Sequence, residues 1–476
     1  MLRAGYRNGG GAYTALDVTN VNKAEADLKE FPLGPDYPRH LWTVFDKNFG
    51  NTWSEPTIGR VRMLTKDADG NVLTVDRWVM FVGGGLDPLD TDPRDTSPAG
   101  VNFGNAFYVI DITTGKIIFK LHPSLASGPT DPQTKMVCEM SSKVGAFDYN
   151  ADGYIDVVFV GDTCGRLWRI DVSEEIDFTS GNISETGLRG DANISVSNWT
   201  ADIAFCATAN DETSTAIDKC NDPSLIPLDP LTLISQRQPI FFAPTAVLDD
   251  LGRRHVIFVT GNRRHPSSGG DFGKLYNFID EYSPSFLGGG TAVDIKTEDY
   301  ITTNGIIIDL VPQGGFFQQF TTSGGTAVEG EFIVNFPSNI PTPSGEKGFG
   351  SPVVINRVLV FTTFDPDPTL ENPCSGGIGN GRVFALDYLT GEPALFRIPG
   401  AQSLIQGSTS EQAQAAGLTA ASGMPTPAQL TFGPSGNVVF SVAFSGSAAL
   451  GGSSFLVWEF ARLPANTSTH FWEEIF

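Results

Sequence analysis

The sequence predicts an all-β fold: a single, irregular β-propeller of six to eight blades, with seven as the preferred number. Three observations predict it: the composition and two strand signatures that recur along the chain. The 476 residues include 53 glycines and 31 prolines, which favour many turns over long helices. The 34 phenylalanines suit short strands packed face to face, and 40% hydrophobic residues are enough for a substantial core.

The first signature is an apolar or aromatic run that ends in aspartate and is followed by a turn. Its copies are AYTALDVTN (12–20), AFYVIDITTGK (106–116), RLWRIDVSE (166–174), RVFALDYLTGE (382–392), the looser LYNFIDEYS (275–283) and the degenerate FLVWEFARL (455–463). Each copy predicts one strand.

The second signature is a small residue or proline, an apolar strand, a polar turn, a second apolar strand and a glycine. Its copies begin and end at 54–85, 141–162, 242–262, 350–365 and, more weakly, 427–446. Together the two signatures supply three or four strands per unit, and a ring of such units buries the faces of every sheet. We therefore expect one propeller domain over residues 1–476, closed by strands from both chain ends. A large β-sandwich or two tandem β domains are the alternatives.

Two long stretches interrupt the repeat. Residues 174–238 and 283–345 are polar and rich in glycine and proline, which predicts insertions between blades. Minor helices are predicted at KAEADLKEF (23–31) and SEQAQAAGLTAAS (410–422).

Charge and hydropathy exclude several classes of function. The net charge of −23 argues against nucleic acid as a partner, because binding a phosphate backbone requires many lysines and arginines. It also argues against docking on an anionic membrane. No stretch has the roughly 18 to 20 apolar residues of a membrane span. The first residues lack the apolar region of a signal peptide, so we expect that export information was removed or that a longer precursor precedes them.

Five cysteines leave at least one without a partner in the chain: Cys138, Cys164, Cys206, Cys220 and Cys374. None lies in CxxC or CxxCH spacing, which removes support for zinc ribbons, thioredoxin-type sites and c-type haem. Cys206 and Cys220 flank a polar loop, and a disulfide between them would fit an oxidising compartment.

The most specific motif is a loop rich in carboxylates. In the stretch GAFDYNADGYIDVV, Asp148, Asn150, Asp152, Tyr154 and Asp156 occupy positions one, three, five, seven and nine, with glycine at position six. Ca²⁺ prefers about six to eight oxygen ligands, which such a loop delivers from these side chains and from the seventh carbonyl. Glycine permits the positive φ of the sharp turn. The sequence therefore predicts a metal site with these five residues as ligands.

The loop differs from a helical EF-hand at position twelve, which is Phe159 in a predicted strand. We therefore expect an EF-hand-like loop on a β-hairpin, with Asp156 coordinating more directly and with water or a neighbour completing the set. Calcium is preferred over magnesium because a flexible, carbonyl-containing loop suits the larger ion. The alternative is a surface turn whose side chains only cap the backbone.

A second stretch, TKDADGNVLTVD (65–76), looks similar but has Leu73 at position nine. It predicts a hairpin with its turn at Asp69 and Gly70.

Several stretches resemble the C-terminal domain of the PilY-type proteins, which are associated with the tip of type IV pili. They are GGGAYTALDVT (9–19), the calcium-type loop with VVFVGDTCGRLWRID (157–171), GFGSPVVINRVLVFTTF (348–364), GNGRVFALDYLTGE (379–392) and the terminal FWEEIF. The resemblance implies a modified β-propeller with one Ca²⁺ held by Asp148, Asn150, Asp152, the Tyr154 carbonyl and Asp156.

The resemblance also implies a function and a location. Members of this family act at the bacterial surface, where they help pili to assemble and stay extended and serve as tip adhesins. For this chain we accordingly expect an exported, extracellular protein at the pilus tip. Its expected partners are minor pilins and other type IV pilus components, together with a host or surface ligand.

Other functions remain as alternatives. A quinoprotein-like propeller enzyme is one, because YVIDITTGKIIF resembles the repeats of those dehydrogenases, although no two cysteines are adjacent as they are near the quinone. The five histidines show no metal-ligand spacing and no GxSxG motif is present, so we expect no enzyme activity. A pilus-independent adhesin is the third possibility. The Arg189-Gly190-Asp191 tripeptide is a weak candidate for integrin-type recognition.

Overall fold

The chain is built almost entirely from short strands. A computed structural model describes residues 2–18, 39–66, 72–88, 103–129, 131–172, 194–195, 199–207, 238–264, 266, 273–280, 306–311, 316–321, 332–335, 345–366, 379–398, 417–432, 438–446 and 455–460. The strands in these residues are β1 (Leu2–Gly5), β2 (Ala12–Asp17), β3 (Arg39–Phe45), β4 (Thr57–Lys66), β5 (Val72–Gly83), β6 (Phe107–Asp111), β7 (Ile117–Leu121), β8 (Gly145–Phe147), β9 (Val157–Gly161), β10 (Arg166–Asp171), β11 (Ile194–Ser195), β12 (Thr200–Cys206), β13 (Thr245–Leu248), β14 (Arg254–Val259), β15 (Lys274–Ile279), β16 (Ile306–Val311), β17 (Phe316–Thr321), β18 (Phe332–Asn335), β19 (Lys347–Gly348), β20 (Val353–Ile355), β21 (Val358–Pro366), β22 (Gly379–Asp387), β23 (Gly417–Ser422), β24 (Gln429–Phe432), β25 (Val438–Ala443) and β26 (Phe455–Phe460).

The helices among the described residues include the short 3-10 helices Pro123–Leu125, Pro132–Lys135 and Leu395–Arg397. None of the helices found there is long and apolar enough to span a membrane.

The chain divides into two compact units. Unit 1 comprises Met1–Thr163, Trp168–Ile203 and Ser285–Gly289, and unit 2 comprises Cys164–Leu167, Ala204–Pro284 and Gly290–Phe476. Unit 1 contains the sheets β1-β2-β3 and β11-β4-β5-β6-β7. Unit 2 contains β13-β14-β15-β18-β16-β17, then β19-β21-β22-β23 with β20 beside β21, and β24-β25-β26. A further sheet has the order β12-β10-β9-β8.

Both sequence signatures correspond to strands as predicted. Each copy of the second signature contains two neighbouring strands, namely β4–β5, β8–β9, β13–β14, β20–β21 and β24–β25. In each of these five sheets, the next strand comes from the first signature and lies beside the second strand of the pair. The two signatures together therefore form a three-stranded meander in each sheet. The all-β prediction is confirmed. Closure into one propeller, the number of blades and the domain assignment stay predictions.

The two stretches predicted as insertions also contribute strands to the sheets. From residues 174–238, β11 pairs with β4 and β12 lies beside β10. From residues 283–345, β16 pairs in parallel with β18, which itself pairs with β15. Where the structure describes them, these stretches therefore extend existing sheets at their edges.

The predicted helix at 410–422 is wrong over residues 417–422, and residues 410–416 lie outside the described residues. Residues 417–422 of the predicted helix at 410–422 form β23, which pairs with β22. A Cβ on Gly417 would lie 2.2 Å from the Phe384 ring, so the pairing uses the absence of a side chain there. Sheet pairing thus outweighs the helix propensity of an alanine-rich segment. The predicted helix at 23–31 lies outside the described residues.

The core of each unit is packed from apolar strand faces. In unit 1, Tyr13, Trp42, Phe49 and Tyr108 belong to one buried cluster. The Phe49 ring packs edge-to-face on Tyr13, with centroids 5.5 Å apart, and lies tilted against Tyr108, with centroids 4.2 Å apart. In unit 2, strands β20, β21, β22, β25 and β26 contribute to a second cluster that includes Phe440 packed on Trp458.

In two copies of the first signature, the final aspartate caps the turn that follows. The Asp111 carboxylate accepts the backbone N–H groups of Thr113 at 2.8 Å and Thr114 at 2.9 Å. Asp387 repeats this arrangement, accepting the N–H of Leu389 at 2.9 Å. Such turns satisfy N–H groups that have left the sheet, which gives the final aspartate of these two copies a structural role.

The cysteines described by the structure are all oxidised. Cys138, Cys164 and Cys206 are each in a disulfide bond. The other two cysteines, Cys220 and Cys374, lie outside the described residues. The predicted pairing of Cys206 with Cys220 stays a prediction.

Candidate metal centre

The predicted metal loop connects β8 to β9. Phe147 and Val157 pair across these strands, so the loop begins at Asp148 and ends at Asp156. Two backbone bonds fix its exit: the Asp156 N–H donates to the Phe147 carbonyl and the Val172 N–H donates to the Asp156 carbonyl, both at 2.9 Å. The predicted arrangement of a loop on a β-hairpin is therefore present.

The loop backbone turns sharply at two residues. Gly153, at position six, has a φ of +87°, as the motif predicted. Ala151, at position four, has a φ of +59°, which sequence inspection did not reveal. A non-glycine residue in the left-handed region costs on the order of 1–2 kcal/mol, so the surrounding contacts must hold Ala151 there.

The side chains of the first three predicted ligands hold the loop by accepting its backbone N–H groups. Asp148 accepts from Asp152 at 3.2 Å through Oδ1 and from Gly153 at 2.8 Å through Oδ2. Asn150 Oδ1 accepts the Asp152 N–H at 2.8 Å, and Asp152 Oδ1 accepts the Tyr154 N–H at 2.9 Å. A carboxylate oxygen has a second lone pair, so these bonds leave acceptor capacity for a cation.

Asp156 reaches back over the start of the loop. Its Oδ2 accepts the N–H of Tyr149 at 2.7 Å, and the N–H of Asn150 lies 3.4 Å from the same oxygen. Burial raises the pKa of Asp156 to about 6, against the effect of the Tyr149 N–H, and the negative charges of Asp148 and Asp152 raise it further. Negative charge is therefore concentrated where the sequence predicts a cation.

The donor set fits a hard divalent cation in chemistry, spacing and backbone conformation. Three carboxylates, an amide oxygen and a backbone carbonyl are the oxygen ligands that Ca²⁺ prefers. The carboxylates do not yet converge: across the described residues, no group of three or more aspartate, glutamate, histidine or cysteine side chains is close enough to hold a metal. The side chains are instead bonded to the loop backbone. Coordination would need these side chains to exchange backbone bonds for the cation.

Tyr154, at position seven, connects the loop to the β4–β5 hairpin through its side chain. The guanidinium carbons of Arg60 and Arg62 lie 4.6 Å and 4.0 Å from the centre of its ring. Its hydroxyl donates to Asp76 Oδ2 at 2.8 Å, and Arg60 forms an ion pair with the same oxygen at 2.5 Å. The spacing of the ligand residues in the loop could not predict this cluster. The cluster depends on the register of the β4–β5 hairpin, which is distant in sequence.

All five predicted ligands lie in this one loop, but the structure does not bring their carboxylates together around a common point. The predicted hairpin at 65–76 is also present, since β4 and β5 pair from Lys66 and Val72 onward, although its turn lies outside the described residues. The Arg189-Gly190-Asp191 tripeptide lies outside them too.

Comparison with known proteins identifies a related fold. No family model and no curated protein matches the sequence. Among solved structures, the chain is similar to the C-terminal domain of PilY1 from Pseudomonas aeruginosa, with a TM-score of 0.55 and 18% identity over 95% of this chain and 80% of that chain. At this identity the similarity shows the fold alone, which is PilY-like and all-β.

Two enzymes are matched much more weakly. The endo-arabinase of Bacteroides thetaiotaomicron VPI-5482 has a TM-score of 0.26 and 9% identity over 87% of this chain and 98% of that chain. Bacillus subtilis levansucrase has a TM-score of 0.26 and 9% identity over 81% of this chain and 79% of that chain. Scores this low carry no argument about function.

Proposed function

We propose that this chain is a calcium-binding protein of the type IV pilus system that acts at the bacterial surface. In this proposal it supports pilus assembly and extension at the pilus tip, where it contacts minor pilins and takes part in adhesion. The observation that carries the proposal is the similarity in fold to the PilY1 C-terminal domain, in a comparison that covers 95% of this chain.

The loop between β8 and β9 supports the calcium part of the proposal. Its five predicted ligands, its glycine with positive φ and its concentrated negative charge all favour a hard divalent cation. Bound calcium would supply positive charge that neutralises the carboxylates. Asp148, Asn150, Asp152 and Asp156 would offer side-chain oxygens, and Tyr154 its carbonyl.

The oxidised cysteines support a location outside the cytoplasm. Disulfides persist in secreted and surface proteins and are rare in the reducing cytosol. Cys138, Cys164 and Cys206 are all disulfide-bonded, which agrees with export. The net charge of −23 suits a surface that does not engage nucleic acid.

A calorimetric calcium titration tests the metal site. Chelator-treated wild-type protein is compared with Asp152→Asn, which removes one ligand charge, and with Asp250→Asn, which removes one charge from an exposed aspartate elsewhere. We expect binding in the wild type and in Asp250→Asn and a loss of at least tenfold in affinity in Asp152→Asn. Equal affinities in all three proteins would exclude the loop as the site.

A piliation assay tests the cellular function. The gene is deleted in its own bacterium and replaced with the wild-type or the Asp152→Asn form, and surface pili are counted by electron microscopy. We expect few pili in the deletion strain, restoration by the wild type, and co-purification of minor pilins with the wild-type chain. Normal piliation in the deletion strain would contradict the pilus function and favour a pilus-independent adhesin.

The proposal includes no catalytic activity. The competing quinoprotein function predicts a bound quinone, which an absorbance scan of protein purified from its own bacterium detects. Quinone cofactors absorb above about 300 nm, where protein absorbs little. A spectrum without a band in that region would exclude the quinoprotein alternative.

A further inference from the structure

The Tyr154 side chain is placed to couple the metal loop to the β4–β5 hairpin. In the predicted calcium site the ligand at position seven is the backbone carbonyl, so the side chain is free for another purpose. It lies against both Arg60 and Arg62 and is hydrogen-bonded to Asp76. An arginine over the face of an aromatic ring is attracted to the negative charge of that face, so both contacts hold the Tyr154 ring against the hairpin.

A backbone contact joins the same two elements. The N–H of Ile155 donates to the Arg60 carbonyl at 2.8 Å. A Cβ on Gly59 would lie 2.4 Å from Ile155 Cγ1, so the loop and β4 pack closely at this point. Tyr154 and Ile155 together therefore fix the loop exit against the first strand of the hairpin.

The face of the hairpin that Tyr154 contacts is exposed and bears a mixture of charged and aromatic groups. Arg60 is paired across the strands with Trp78, and Arg62 with Asp76. Trp78 is 57% exposed, which makes it one of the large apolar side chains open to solvent among the described residues. Order in this hairpin thus determines how an exposed tryptophan and two arginines are presented.

We propose that Tyr154 joins the loop and the β4–β5 hairpin into one cooperative unit, so that calcium binding in the loop also orders the exposed face bearing Arg60, Arg62 and Trp78. This inference rests on the proposed calcium site. By linkage, the factor by which calcium stabilises the Tyr154 contact equals the factor by which that contact strengthens calcium binding. Tyr154 is accordingly a positioning residue, and Trp78 lies on the surface that responds.

Hydrogen exchange and calorimetry on the full chain test the coupling. Tyr154→Ala removes the ring and hydroxyl but keeps the backbone carbonyl, and Tyr154→Phe removes only the bond to Asp76. Tyr6→Ala is the matched control, because Tyr6 is 48% exposed in the same unit and its hydroxyl also bonds a neighbour, Thr14. Amide exchange of residues 57–62 and 76–80 is measured in chelator and in calcium, beside the calcium affinity of each protein.

We expect calcium to slow exchange in the hairpin of the wild type and of Tyr6→Ala but not of Tyr154→Ala. The calcium affinity of Tyr154→Ala should fall roughly 5- to 150-fold, the usual range of coupling between sites, with a smaller loss in Tyr154→Phe. Unchanged affinity and unchanged hairpin protection in Tyr154→Ala would overturn the coupling while leaving the calcium site intact.

The exchange measurements in chelator distinguish failure of the Tyr154 coupling from failure of the calcium site itself. If the wild type binds no calcium, the proposed function fails, and the coupling is decided without metal. Faster hairpin exchange in metal-free Tyr154→Ala than in metal-free Tyr6→Ala then supports a cooperative unit of loop and hairpin. Equal exchange in the two variants overturns it.

Discussion

The carboxylate of Asp148 accepts the backbone N–H of Gly153 at 2.8 Å, which closes the loop between β8 and β9 across five residues. The bond requires Gly153 to adopt a φ of +87°, a conformation that other residues enter only at a cost. A Cβ at this position would meet nothing within 4 Å, so any cost of a side chain comes from the backbone alone.

Gly153→Ala should therefore destabilise the metal-free protein by about 1–2 kcal/mol, the cost of a left-handed conformation for an L-residue. Gly128→Ala is the matched control, since a Cβ there also meets nothing within 4 Å and Gly128 has no positive φ. Chemical denaturation in chelator measures both free energies of unfolding. We expect little change or a slight gain for Gly128→Ala, whereas equal losses in the two variants would contradict the backbone explanation.

Asp156 and Asp152 should differ in their effect on the protein without metal. Asp156 is partly buried and accepts the N–H of Tyr149 at 2.7 Å, so Asp156→Ala leaves a donor without its partner. Asp152 is exposed, and water can replace its bond to the Tyr154 N–H. Because the pKa of Asp156 is raised to about 6, its ionised form costs stability at neutral pH, so the comparison is made in chelator at about pH 4, where this carboxyl is protonated in the folded chain. There we expect Asp156→Ala to lower the free energy of unfolding by about 1–3 kcal/mol and Asp152→Ala by much less. A larger loss of unfolding free energy in Asp152→Ala would contradict this, because the exposed part of the loop would then contribute more to stability than Asp156 does.

The sequence predicted the strands because their signal is local. The strands β6, β10 and β22 each consist largely of apolar residues that lead to a final aspartate and a turn, and such segments form buried strands in many contexts. The ligand loop was predicted for the same reason, since its five positions lie within nine residues.

What the sequence missed depends on contacts between distant segments. The contacts of Tyr154 require Arg60 and Arg62 to lie on the same face of β4. The pairing of β4 with β5 sets the register that places Asp76 beside them. The strand β23 was mistaken for part of a helix because its alanines favour a helix locally, and its pairing with β22 decides otherwise. Short edge strands such as β11 lie in polar stretches where no periodicity marks them.

The capping aspartates should differ in the energy that their ion pairs contribute. Asp387 is almost fully buried and pairs with Arg397 at 2.7 Å and Arg357 at 3.2 Å, and these bonds lower its pKa against the effect of burial. The buried carboxylate of Asp111 has a more distant ion pair, 3.7 Å from Arg77.

Substitution by asparagine keeps the turn-capping oxygen and removes the charge. We expect Asp387→Asn to lower the free energy of unfolding by about 1–2 kcal/mol, because two arginines lose a hydrogen-bonded partner but remain accessible to water, and Asp111→Asn by less. Urea denaturation at pH 7 measures both. Equal losses would mean that the ion pairs at Asp387 contribute nothing beyond the cap.

Glu346 in unit 2 is a buried carboxyl group whose protonation changes near neutral pH. It is fully buried, accepts hydrogen bonds from Thr363 and Arg382, and shares Arg382 with Asp365, which lies 2.7 Å from the second guanidinium nitrogen. The Asp365 Oδ1 atom is buried without a hydrogen-bond partner, so one arginine serves two carboxylates in a site shielded from water.

Burial raises the pKa of Glu346 from its ordinary 4.5 to about 7, and the Asp365 charge adds to the rise, although Arg382 and Thr363 oppose it. The folded chain therefore binds the proton more tightly than the unfolded chain. This contribution to stability is fully present below pH 4.5 and is lost as the pH rises through about 7.

Glu346→Gln removes that titration, so its free energy of unfolding should rise relative to the wild type between pH 5 and pH 8, by up to roughly 3 kcal/mol. The comparison is made by urea denaturation in chelator, where titration of Asp156 is common to both proteins and cancels in the difference. Glu392→Gln, at an exposed position of the same unit, is the control and should follow the wild type at every pH. A wild-type-to-Glu346→Gln difference that stays constant from pH 5 to pH 8 would show that Glu346 remains ionised throughout, held by Arg382 in spite of its burial.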